Sequence, residues 1–142
     1  MSASSIVVRR PLIVKNESVA DRPAKARNYQ DLDVWKKGIE IVDLVYELTE
    51  SLDSAERFGL CTQMRRAAVA IPSNSAEGFV RAHPKEYRQF CHVALGSCAE
   101  LDTQAVIASR RQLVGATDVV ALREALDHES RMLMNLIKRL RG

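Results

Sequence analysis

The chain has 142 residues and a mass of 15.9 kDa, enough for one domain with its own core. Apolar residues make up 46% and charged residues 27%, which excludes a disordered chain, and no apolar run approaches the roughly 18 residues of a membrane helix. Aromatics are only 5% and glycine and proline together number ten, so a β-sandwich or barrel is disfavoured and an all-α domain is expected.

The net charge of +3 is unevenly spread. Residues 1–28 carry six basic and two acidic groups, net +4, whereas the remaining 114 residues carry 15 basic and 16 acidic, net −1. The basic balance belongs to the N-terminal segment, and the body is not a cationic slab that binds nucleic acid by charge alone. That segment, Met1–Asn28, holds two apolar triplets, Ile6-Val7-Val8 and Leu12-Ile13-Val14, but no continuous signal-peptide core. It reads as a basic flexible arm, or a short extended segment that docks on a partner, preceding a bundle over residues 29–142.

From Leu32 to Leu52 the pattern is helical. Val34, Ile41, Val45, Leu48 and Leu52 share one stripe, and Trp35, Ile39, Val42 and Tyr46 form a second beside it. An apolar arc about half the circumference wide exceeds the ~100° of an ordinary surface helix and predicts contact with more than one neighbour. A second helix is expected from about Ser54, capped by Asp53 or Ser54. Its core face is Leu60, Cys61, Met64, Ala67, Ala68 and Ile71. Pro72 would stop or kink it, yet Ser75, Gly78 and Phe79 keep the same phase, so one kinked helix running to about Phe79 is predicted. Pro84 opens a third helix, whose stripe runs from Tyr87 through Cys91, Ala94, Cys98, Leu101 and Ala105 to Ala108, with Gly115 as its stop. Thr117 or Asp118 is expected to cap a fourth, lined by Val119, Leu122, Leu126, Leu133, Ile137 and Leu140. Four helices with short connections favour an antiparallel up-down-up-down bundle.

Catalytic signatures are sparse. The sequence has no glycine-rich phosphate loop, no His-Glu-x-x-His, no Gly-x-Ser-x-Gly and no Glu-x-x-His of a bundle metal site. His83, His92 and His128 read as surface residues. Cys61, Cys91 and Cys98, odd in number and unpaired in spacing, read as small buried apolar groups in a reducing cytoplasm, with neither disulfide nor metal. The expectation is therefore a non-enzyme that needs no cofactor.

The most distinctive stretch is Gln63-Met64-Arg65-Arg66 followed by Ile71-Pro72-Ser73-Asn74-Ser75-Ala76-Glu77-Gly78-Phe79. Asp31-Leu32-Asp33-Val34-Trp35 precedes it and Gly96-Ser97-Cys98-Ala99-Glu100-Leu101 follows. In this order the motifs resemble a family of bacterial four-helix-bundle proteins encoded within intervening sequences of 23S ribosomal RNA genes, over about Tyr29 to Leu140. The chain departs from that pattern at Ala70, usually serine, and at Ser75, usually a large aliphatic. The resemblance implies a non-enzymatic bundle that assembles as a ring, most often a homopentamer. It also implies a relation to the accessory variability protein of diversity-generating retroelements, which partners a reverse transcriptase and binds nucleic acid.

Two candidate surfaces follow. Gln63, Arg66, Asn74 and Glu77 lie off the core face of helix two, and Gly96 and Glu100 lie off that of helix three. They form a candidate oligomer interface in which Arg66 meets Glu77 or Glu100. The start of helix one, the turn between helices two and three, and the C-terminus share one end of an up-down bundle. That end gathers Lys36, Lys37, Arg81, Lys85, Arg88, Lys138 and Arg139, a candidate nucleic-acid-binding rim for RNA or a nucleoprotein such as a reverse transcriptase. The alternative is a protein-interaction scaffold with no nucleic-acid contact. No membrane contact is expected.

Overall fold

The computed structural model describes residues 26–52 and 57–141. The arm up to residue 25 and the expected cap at Asp53 or Ser54 lie outside the described residues. A 3₁₀ turn, Tyr29–Asp31, opens the described part. There the Asn28 side chain accepts from the Gln30 N–H at 2.8 Å, while the Asp31 carboxylate accepts from the N–H groups of Arg27 and Asn28. These backbone donors hold the Asp31 carboxyl below its ordinary range.

Four helices follow: α1 Asp33–Thr49, α2 Thr62–Arg81, α3 Pro84–Arg110 and α4 Ala116–Leu140. Each packs on its sequence neighbour, and α1 closes the ring against α4, as antiparallel up-down topology requires. The core is the set of stripes read from the sequence. Val34, Ile41 and Val45 of α1, Met64, Ala68 and Ile71 of α2, Cys91, Ala94, Cys98 and Leu101 of α3, and Val119, Leu122, Leu126 and Leu133 of α4 are all buried. All three cysteines are buried and free, and burial pushes the thiols of Cys91 and Cys98 up to about 12, so they are unreactive at neutral pH.

Pro72 lies inside α2 without ending it, as the retained apolar phase predicted. The bundle exploits this position. A Cβ on Gly38 of α1 would stand 3.1 Å from the Pro72 Cβ, so the missing side chain lets the two helices cross closely. A second close crossing joins α2 to α3, where a Cβ on Gly78 would stand 2.9 Å from both Phe90 Cβ and the Tyr87 ring. Ser75, one of the two noted departures, is fully buried, and its hydroxyl donates to the Ile71 carbonyl at 3.0 Å.

Two terminal expectations are corrected. The expected start of the second helix near Ser54 lies outside the described residues; a π-helical turn over Arg57–Cys61, with Gly59 outside the helical region, leads into α2 at Thr62. Gly115 does not stop α3. The left-handed residue is Gln112 (φ 60°), and the Leu113 N–H closes the end by donating to the Ala108 carbonyl at 2.9 Å. Gly115 is instead the N-cap of α4, which places Thr117 and Asp118 inside its first turn.

Candidate functional site

The basic end is assembled by the turn chemistry at the bottom of the bundle. Ala82 takes a left-handed conformation (φ 62°) and Pro84 starts α3, so the chain reverses within two residues and sets the start of α3 beside the end of α2. The Arg88 guanidinium then donates to the Leu140 carbonyl at 3.2 Å, satisfying an orphan acceptor at the C-terminus of α4. Tyr29 and Trp35 meet in a tilted ring contact at the start of α1, with centroids 5.7 Å apart and planes at 60°, and share a groove with Glu77 and Val80 of α2. One end of the bundle thus contains the residues of the expected rim.

Their individual states differ. Arg81 pairs with Glu77 at 3.0 Å and lies 5.1 Å from the Phe90 ring centroid. Lys37 pairs with Glu40 at 2.9 Å. Arg88 is half-buried on its helix-capping bond. Lys36, Lys85, Lys138 and Arg139 are exposed and belong to none of the ion pairs among the described residues. Tyr87 sits partly buried beneath them, its phenol pushed up to about 12 by burial, and is no stacking platform.

The second surface runs along the outer side of α2 and α3. Gln63, Arg66, Glu77, Gly96 and Glu100 are exposed, and Asn74 is half-buried with its amide donating to the Ala70 carbonyl at 2.8 Å. The expected Arg66–Glu77 and Arg66–Glu100 pairs do not form within the chain: Glu77 is taken by Arg81, and Glu100 accepts from Gln104 at 3.4 Å. On α3, Val93, Gly96, Glu100 and Ile107 share one outward stripe at helical spacing. Val93 is 53% exposed and Ile107 45%. A Cβ on Gly96 would meet nothing within 4 Å, and the buried Gln104 Oε1 beneath this stripe has no hydrogen-bond partner.

Two features escaped the sequence reading. Glu129 is fully buried, with neither carboxyl oxygen hydrogen-bonded. It faces Lys37 and Glu40 of α1 and the two thiols Cys91 and Cys98 of α3. Burial pushes its carboxyl up to about 8, with Lys37 opposing and Glu40 adding to the rise. Its signal was present: Val119, Leu122, Leu126 and Leu133 follow a three-four repeat whose missing member is residue 129. The other feature is a polar knot, in which buried Thr49 donates to the Val45 carbonyl at 2.7 Å and accepts from Arg65 Nε at 2.9 Å. The same guanidinium lies 4.4 Å from the Tyr46 ring centroid. Spacing within one helix does not reveal such a contact between α1 and α2.

An antiparallel four-helix bundle with a cationic end and a polar lateral stripe is the class of protein these features define. The chain belongs to the 23S rRNA-intervening sequence protein family, whose model matches residues 30–135. A crystal structure of a protein of unknown function from the S23 ribosomal protein family of Bacteroides thetaiotaomicron VPI-5482 superposes with a TM-score of 0.69 at 17% identity, covering 74% of this chain and 95% of that one. At that identity the likeness shows the fold. No curated protein matches the sequence. Among the described residues no helix is long and apolar enough to cross a membrane.

Proposed function

We propose that this protein is a non-catalytic homo-oligomeric bundle that binds structured RNA, or a nucleoprotein such as a reverse transcriptase, through its basic end. The observation that carries the reading is the convergence of Lys36, Lys85, Lys138 and Arg139 from three helices on one end, all exposed and outside the ion pairs of the described residues. Arg81 adds a cation that can exchange Glu77 for a phosphate. Membership of a family defined by ribosomal RNA intervening sequences is compatible with an RNA partner and with a cytoplasmic location. The relation to diversity-generating retroelements and the reverse-transcriptase partner belong to this proposal.

Oligomerisation multiplies such an end. The outer α2–α3 stripe, with Gln63, Arg66, Asn74, Glu77, Gly96 and Glu100, is the proposed contact between copies, and a pentameric ring is the proposed arrangement. Arg66 is exposed and without a partner in the chain's own ion pairs, and Gly96 leaves room for close approach of another helix. A ring would place several basic ends on one rim, where phosphate contacts would give affinity with little sequence preference.

The test is fluorescence anisotropy with a labelled structured RNA at two salt concentrations. Wild type should bind at low salt, with log affinity falling by about 0.7 per phosphate contact for each log unit of salt if single-stranded segments dominate. Lys85→Glu combined with Lys138→Glu should weaken binding uniformly across RNA sequences. These two are cleaner probes than Arg88, whose reversal would also break the cap on α4. Absence of salt-sensitive binding by wild type would overturn the RNA reading and favour the protein scaffold.

A further inference from the structure

We propose that the groove between α1 and α2 is the docking site for Leu12-Ile13-Val14 of the chain's own N-terminal arm. The inference is independent of the RNA reading. The groove holds about 500 Å³ and is floored by Trp35, Ile39, Val42 and Pro72, with Val69 and Val80 on its α2 wall. Those two valines are 42% and 62% exposed, an apolar strip that the bundle itself leaves uncovered.

Position selects the arm as occupant. Tyr29 lines the mouth of the groove, so the described chain begins at Ala26 beside it. From Val14 to Ala26 the chain can reach up to about 40 Å when extended. The groove needs far less, because its α1 lining from Trp35 to Val42 spans only about 10 Å. The slack is ample for the chain to fold back, and a short tether makes the local concentration of the triplet high. About three extended residues fill that length, which matches Leu12 to Val14. Of the two apolar triplets, this is the one on the shorter tether.

Charge fixes the direction. With Leu12-Ile13-Val14 at the Trp35 end, Arg9 and Arg10 run towards the other end of α1. There Asp43 and Glu50 are exposed and belong to none of the ion pairs among the described residues, whereas Glu47 faces α4 in a cleft with Asp118. The arm is net +4 and two exposed carboxylates, Asp43 and Glu50, stand beyond Val42, so the apolar insertion and the charge pairing reinforce one register. Pro11 suits an extended segment laid on a surface, since it has no N–H to satisfy.

Trp35 is the only tryptophan of the chain and lies in the groove, so it reports occupancy directly. The experiment measures its emission and acrylamide quenching in the full-length protein. Ile13→Asp should shift emission to the red by several nanometres and raise the quenching constant about twofold, because the indole regains contact with water. Val80→Asp, an exposed change on the groove wall, should do the same, while Val7→Asp should leave Trp35 shielded. Circular dichroism should be unchanged in all three. Shielding should persist on hundred-fold dilution. If Ile13→Asp changes nothing, or if Val7→Asp alone exposes Trp35, the assignment is wrong. If shielding fades on dilution, a second copy covers the groove and the arm does not.

Discussion

A carboxyl surrounded by apolar side chains and thiols stays there by remaining protonated, since ionisation without a partner in that environment is costly. Glu129 is in this position, with its folded-state value at about 8 against 4.5 for the free side chain. The folded state therefore holds this proton more tightly than the unfolded chain does. Its stabilising contribution is complete below pH 4.5, declines as pH rises, and is lost above about pH 8. We expect wild type to lose of order a few kcal/mol of unfolding free energy between pH 5 and pH 8.5 from this group alone. Urea titrations at the two pH values check this: Glu129→Leu should flatten the difference, with its largest stabilisation at pH 8.5. Equal pH dependence in both proteins would show that Glu129 ionises without penalty. The depressed Asp31 carboxyl does not confuse the result, since it titrates below its ordinary value of 3.8.

Helix pairing in this bundle is set by two glycines with different tolerances. At Gly78 an added Cβ would press on Phe90 Cβ, the Tyr87 ring and, at 3.2 Å, the Tyr87 carbonyl, none of which is a freely moving side-chain end. Gly78→Ala should therefore destabilise the fold by about 1–3 kcal/mol through overpacking, even after the helix-propensity gain of up to about 1 kcal/mol. Thermal or urea unfolding measures it, and a neutral result would mean that α2 and α3 can separate without loss. The Pro72 register followed from phase alone, because the apolar residues on both sides of the proline continue one stripe. The Gly38–Pro72 crossing did not, because it depends on which face of α1 meets the kink. Helix ends were the least legible features. Gln112, not glycine, carries the left-handed turn after α3, and local propensity gave no sign of that override.

At the scale of the whole molecule, the apolar residues outside the core carry the argument for partners. Val93, Ile107 and the unfilled space over Gly96 lie on the α2–α3 side, and Val69 and Val80 lie on the α1–α2 side. If the α2–α3 stripe joins copies, light scattering coupled to gel filtration should give several times 15.9 kDa at micromolar concentration. Gly96→Leu with Glu100→Arg should then reduce the mass towards one chain while leaving the helical signal intact, since Gly96 has open space around it. A wild-type mass of one chain would remove the oligomer from the proposal. The basic end offers a parallel contrast. Up-down topology was enough to gather its residues, but the sequence did not distinguish Arg88, committed to the α4 carboxyl terminus, from Lys85, which stands free of the ion pairs described.

Periodicity by itself determined that four amphipathic helices form and which face of each is buried, because burying an apolar stripe is the dominant favourable term and its spacing is written residue by residue. The motif order determined the family. Tertiary structure alone decided what happens where helices meet. It made Glu129 a buried acid instead of a surface one, made Gly38 and Gly78 contact points, and gave Glu77 to Arg81 in place of Arg66. These outcomes depend on the rotation and separation of neighbouring helices, fixed by packing across the bundle, and a one-dimensional pattern contains no coordinate for either.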